Sequence, residues 1–200
     1  MYTSSRCCYT TCTQPAWGNT GYCRVHHPRA ADYIQQMRKL ILEAKDTSEA
    51  LDGMDWSYMD LSDLDLQELE FRHCCFCRTS LENSSLRRCR FIMCRLDEIQ
   101  APHSDFSGTC MDSVLAAGSN FSHADFHSSD LLNVNFMGIQ AEKARFNSSD
   151  LHGSCFTAAN LKEAKFRNCN LNHTVFTAAL LDNADFRNSN VEAALHILRL

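Results

Sequence analysis

The sequence predicts an all-β solenoid, a chain wound into a stack of short coils. Three observations carry that prediction. Stepping by five from Leu51 to Val191 meets 29 positions, of which 23 are Leu or Phe. All 12 phenylalanines of the chain fall in this register. Two residues before the centres stands a smaller residue, as at Ala124, Val134, Ser149, Ala159, Ala164, Cys169 and Ala184, and the other three positions are mainly polar. A strand repeats its buried side chains every two residues and a helix about every 3.6. A period of five fits neither.

Each five-residue unit offers one large and one smaller inward side chain and then turns. Such a unit cannot bury its apolar face alone, so successive units must wind into coils and stack. The stretches ANLKE (159–163), ADFRN (184–188), ADFHS (124–128) and SDLHG (149–153) resemble the A-(D/N)-(L/F)-x-x motif of the pentapeptide-repeat proteins. The resemblance covers residues 49–193. It implies a right-handed quadrilateral β-helix with four units to a coil, hence about seven coils. At ~4.8 Å per layer the rod is about 34 Å long. Residues twenty apart should then lie above one another. One column reads Leu66, Leu86, Phe106, Phe126, Phe146, Phe166, Phe186, and another Leu61, Leu81, Ala101, Phe121, Ala141, Leu161, Leu181. The weakest stretch is 99–118, with small centres at Ala101 and Ala116 and with Pro102, and a bulged corner is expected there.

A stacked rod exposes strand edges at both ends unless they are covered. Residues 31–48 supply one cap: YIQQMRKLILEAKD (33–46) is helical by composition, with Ile34, Met37, Leu40, Ile41 and Ala44 on one face. VEAALHILRL (191–200) reads as a short apolar helix. Its Leu195, Ile197, Leu198 and Leu200 exceed what one cap must bury, so a homodimer through this segment stands beside a monomer's cap.

Residues 1–30 form a small Cys/His module. In CCYTTCTQPAWGNTGYCRVHH (7–27), Cys8, Cys12, Cys23 and His26 supply three thiolates and an imidazole, the ligand set of tetrahedral zinc, with Cys7 and His27 as alternates. The stretch is similar to short Cys3His zinc-binding modules carrying G-x-Y-C-x-x-H, here GYCRVHH, and departs from them in its short first spacing. A segment this small hardly folds without a staple, so the leading reading is a structural zinc. Reduced cysteines packed against the first coil, or redox chemistry, are the alternatives.

Within the repeat, Cys74, Cys89, Cys94 and Cys169 occupy the small inward slot, where a thiol serves as a compact hydrophobe. Cys75, Cys110 and Cys155 precede their centres and Cys77 follows one, so these four should be more exposed. A second metal site around HCCFC (73–77) is the weaker reading, because nothing fixes Cys75 and Cys77. His103 and His123 share a phase twenty apart and should stack on a solvated corner.

Formal charge divides unevenly. Residues 1–50 hold six Lys/Arg and four Asp/Glu, net +2, and residues 51–200 hold thirteen and twenty, net −7. Acids at Asp55, Asp60, Asp65 and Glu70 give way to bases at Arg87, Arg88, Arg90 and Arg95, a candidate interaction surface. No Gly-rich phosphate loop, G-x-S-x-G elbow or distinctive carboxylate pair is present, so catalysis has no support. The leading function is a non-enzymatic rod that binds a protein partner. The family resemblance implies an alternative, a DNA mimic that binds DNA gyrase or another DNA-binding protein. The acidic first coil favours it and the arginines oppose it. A net charge of +2 is weak for direct nucleic-acid contact. A delivered bacterial effector is a further reading that no residue pattern tests. The N-terminus lacks the apolar core of a signal peptide, and no apolar run spans a bilayer, so a cytoplasmic location is expected, unless the protein is exported by a route that uses no cleavable signal.

Overall fold

Twenty-residue pairing runs from Leu51 to Leu195. The computed structural model describes residues 6–14, 16, 20–23 and 25–195. Strands β1 (Leu51–Asp52), β2 (Glu70–Arg72), β3 (Arg90–Ile92), β4 (Cys110–Asp112) and β5 (Asp130–Leu132) form one parallel sheet in sequential order. Phe71 pairs with Phe91, Phe91 with Met111, and Met111 with Leu131, each twenty residues on. The other walls carry single parallel bridges in the same offset, from Asp55–Cys75 through to Val175–Leu195.

The turns make this possible. Every residue two places after a centre, from Gly53 to Asn188, has a positive φ. Four such left-handed corners per twenty residues return the chain to its starting wall. The conformation costs a non-glycine residue about 1–2 kcal/mol. Five of the seven glycines in the chain sit at these corners: Gly53, Gly108, Gly118, Gly138 and Gly153.

The centres fill the interior. Phe106, Phe126, Phe146, Phe166 and Phe186 stack with centroid separations of 4.8, 5.0, 4.8 and 4.9 Å. In the neighbouring column Phe121 lies between Ala101 and Ala141, all fully buried. Large beside small is how an interior reaches crystal-like density.

The stretch 99–118 does not bulge. Ala101 N–H donates to Asn120 O at 2.8 Å, Asn83 N–H donates to Pro102 O at 3.1 Å, and β3 pairs with β4 in register. Pro102 occupies the position after a centre, whose N–H takes no part in the ladder; at Ser62 and Ser107 that N–H goes instead to the Asp two residues before. A proline there removes no ladder bond.

The small inward slot is more than a packing position. Ser84, Ser104, Ser119, Ser129, Ser149 and Ser154 each donate the hydroxyl to the carbonyl of the centre one coil earlier, at 2.5–2.9 Å. Thr79 and Thr174 do the same. The buried thiols at Cys74, Cys89, Cys94 and Cys169 take this place too, with sulfur 2.8–3.3 Å from the corresponding carbonyl. They are donors as well as compact hydrophobes.

Helix α1 (Ala30–Thr47) lies over the N-terminal edge and buries Met37, Ile41 and Ala44 against the first coil. Arg38 donates to Asp60 O at 2.9 Å, and Lys45 to Asp65 O at 3.3 Å. In later coils the equivalent carbonyls accept from the preceding coil, as Ser80 O does from Leu61 N–H. The two side chains therefore stand in for the coil that is missing below.

At the other end no α-helix forms over 191–195. Val191–Ala193 is one 3₁₀ turn, and Leu195 then returns to the wall, its N–H donating to Thr174 O at 2.8 Å and its carbonyl accepting from Phe176 N–H at 3.1 Å. The open ladder edge of the preceding coil competes with a helix for these backbone groups. Residues 196–200, with Ile197, Leu198 and Leu200, lie outside the described residues. No helix among the described residues is long and apolar enough to cross a membrane.

Candidate metal centre and charged surface

Two short turns build the head. Cys12 N–H donates to Tyr9 O at 2.9 Å, and His26 N–H to Cys23 O at 3.1 Å. Cys7 N–H to Gln14 O (3.0 Å) and Cys8 N–H to Gly21 O (2.8 Å) tie the two turns together. Gly21 holds φ 73°, a conformation that favours glycine.

These turns bring Cys7, Cys12, Cys23 and His26 to one point, with ligand atoms all within 4.8 Å of one another. Cys12 Sγ and Cys23 Sγ are 3.7 Å apart; Nδ1 of His26 lies 3.6 Å from Cys7 Sγ and 3.3 Å from Cys23 Sγ. Tetrahedral zinc at ~2.3 Å from sulfur and ~2.0 Å from nitrogen requires edges of about 3.8 Å (S–S) and 3.6 Å (S–N). The residues fit such an ion.

The thiol that joins this cluster is Cys7 and not Cys8. Cys7 is buried in the cluster and Cys8 is exposed. The imidazole is that of His26, whose ring stacks on Tyr9 at 4.2 Å. His27 faces away. Its Nδ1 accepts the Arg29 N–H at 3.1 Å and its ring leans on Tyr33 of α1, linking head to cap.

The electrostatics ask for a cation. Desolvation opposes ionisation of Cys7, but the backbone N–H groups of Cys23 and Tyr9, with His26 and the Cys23 thiol, outweigh it and bring Cys7 down to about 6. For Cys12 the Gln14 N–H favours the thiolate, yet burial and the Cys23 and Cys7 thiols together hold it above the ordinary thiol value. Three thiols this close cannot all ionise unless a positive charge sits among them.

The charged surface pairs across coils. Arg88 meets Glu68 at 3.3 Å, Arg90 meets Glu70 at 3.7 Å, and Arg78 meets Glu98 at 2.8 Å, each pair twenty residues apart. Arg87 lies 3.8 Å from Asp105, and Arg95 binds Asp97 at 3.1 Å. Lys45 holds Asp65 at 2.6 Å. Asp55 accepts the Ser57 N–H, and Asp60 the Ser62 N–H. Where the sign reverses along the sequence, Glu68 and Glu70 thus stand against Arg88 and Arg90 in space. The solvated His103 and His123 rings stack at 4.7 Å on one corner. Of the thiols expected outside, Cys77, Cys110 and Cys155 are half-buried, but Cys75 is buried, covered by its neighbours Ser57 and Cys77.

A family described as pentapeptide repeat region matches residues 139–195. Residues 139–195 carry that family's repeat. The same register runs back through the pentapeptide coil to Leu51, beyond the matched residues. No curated protein matches. Among solved structures, the chain is similar to HetL, a pentapeptide repeat protein involved in heterocyst differentiation regulation from the cyanobacterium Nostoc sp., at 16% identity and TM-score 0.48, over 78% of this chain and 94% of HetL. QnrB1, a plasmid-mediated fluoroquinolone resistance protein, aligns at 17% identity and TM-score 0.40, over 72% of this chain and 94% of its own. Rfr23 from the cyanobacterium Cyanothece aligns at 13% identity and TM-score 0.35, over 78% and 97%.

Proposed function

We propose that the protein is a non-catalytic interaction module: a rigid pentapeptide rod that binds a protein partner, with an N-terminal head held by a structural zinc. The observation that carries this reading is the filled interior, in which stacked Phe and Leu side chains occupy every coil from wall to wall. A coil packed this way offers a substrate no enclosed chamber, so its chemistry is that of its surface. Four protein ligands in the head leave zinc no open position, which is the arrangement of a structural and not a catalytic ion.

Cross-coil pairing bears on which partner is favoured. A DNA mimic needs an uninterrupted negative field. Here Glu68 and Glu70 of the first coil meet Arg88 and Arg90 of the second, which interrupts that field and leaves a surface of mixed sign. The test combines two measurements on the full chain. Affinity capture with wild type and with an Arg87→Glu/Arg88→Glu/Arg90→Glu variant should show a protein retained by the first and lost from the second. A gyrase supercoiling assay should show no inhibition at micromolar protein. Equal capture by both, or inhibition of supercoiling, would count against this reading.

A further inference from the structure

Cys75 and Cys77 flank Phe76, whose ring points into the core, so both sulfurs emerge on the outer wall of the second coil. Their Sγ atoms are 3.2 Å apart. Ser57 Oγ lies 3.1 Å from the Cys75 sulfur. Asp97 Oδ2 stands 3.9 Å from the Cys77 sulfur and is itself held by Arg95 at 3.1 Å. Two thiols and an already paired carboxylate do not complete a tetrahedral metal site. What they do make is a dithiol already in contact.

We propose that Cys75 and Cys77 form a reversible dithiol–disulfide couple, oxidised by hydrogen peroxide or another small hydroperoxide.

Ring closure needs little movement. The two sulfurs lie on the same side of the backbone, 3.2 Å apart, and must approach to about 2.05 Å for the bond to form. Cys75 is the nucleophile. The neighbouring Cys77 thiol stabilises its thiolate, and Ser57 adds to this against the cost of burial, bringing Cys75 down to about 6, while Cys77 is held far above the ordinary value. Cys75 keeps only 5% of its surface, which admits a small oxidant and hinders a bulky one. The Cys75 thiolate attacks one peroxide oxygen, the O–O bond breaks, and hydroxide leaves to take a proton as water. Cys77 then attacks the sulfenic sulfur and loses its proton; the S–S bond forms, the S–O bond breaks, and a second water departs. Two thiols and one hydrogen peroxide become one disulfide and two waters, with two electrons passing from sulfur to oxygen. An external dithiol restores the pair by exchange.

The Cys74 and Cys94 thiols also interact with one another, but inside the core and without exposed surface. Cys74, Cys89, Cys94 and Cys169 are buried inside, bonded to carbonyls. Cys155 has Thr157 where Cys75 has Cys77.

The test uses the full chain. After excess hydrogen peroxide, acid denaturation, N-ethylmaleimide labelling and trypsin, the peptide 73–78 holds Cys74, Cys75 and Cys77 apart from all head thiols. The expected product has lost about 2 Da and carries a single label, on Cys74. Dithiothreitol should restore three labels. Cys74→Ser should keep the mass loss, and Cys77→Ser should leave a sulfenic acid on Cys75 that dimedone traps. Three labels after peroxide, or the single label on Cys75 or Cys77, would overturn the proposal.

Discussion

Ser129 Oγ donates to the carbonyl of Phe106 at 2.9 Å, 23 residues earlier in sequence and one coil below in space. The same oxygen accepts the Thr109 N–H at 3.2 Å. One buried hydroxyl thus joins adjacent coils twice. Replacing it with alanine leaves a buried donor without its acceptor, so Ser129→Ala should cost ~1–3 kcal/mol in chemical denaturation. Ser129→Cys should cost less, because cysteine serves in this slot at Cys89 and Cys169. Equal stability of Ser129→Ala and wild type would show that the slot needs only small size.

The corners make a separate prediction. Gly138 has φ 66°, and a Cβ placed there would meet nothing within 4 Å. Gly138→Ala therefore isolates backbone strain from crowding. It should cost about 1 kcal/mol, lowering Tm by about 2–4 °C for a chain of this size. Ala178, at φ 56°, should respond in the opposite sense when replaced by glycine. An unchanged Tm in both variants would contradict the left-handed corner.

The last coil should be sensitive to acid. Asp185 is held well below the usual carboxylate range, chiefly by the Arg187 side chain, with Arg167 adding to it. A carboxyl whose folded pKa is depressed contributes stability above its unfolded value and loses it as pH falls through the folded one. Wild type should thus melt above Asp185→Asn at pH 6, and the gap should close below the ordinary aspartate value of 3.8. The pair is exposed, so the gap is small and should shrink with salt. A gap that persists or widens in acid would sink the assignment.

The five-residue period was legible because it comes from the interior: Phe and Leu are costly to expose, so their spacing records the winding of the chain. The twenty-residue charge pairing, as at Arg88 and Glu68, was written in the sequence but reads as a block of acids followed by a block of bases until the coils are stacked. Ser129 was visible as a small residue, not as a donor, because its acceptor is in another coil. Cys7 and Cys8 are the same residue type side by side, and only the folded head, which buries one and exposes the other, separates them. Over 191–195 the expected helix is limited to one 3₁₀ turn, because composition reports local preference, whereas the open ladder edge at Thr174 and Phe176 offers hydrogen bonds that only the fold creates.

Zinc content decides the head. Wild type, Cys8→Ser and Cys7→Ser proteins, purified without chelator from zinc-replete cells, should be measured for metal by mass spectrometry. The geometry of Cys7, Cys12, Cys23 and His26 predicts about one zinc per chain in wild type and in Cys8→Ser, and near none in Cys7→Ser. Wild type without zinc, or Cys7→Ser retaining as much as wild type, would contradict the metal-held head on the pentapeptide rod.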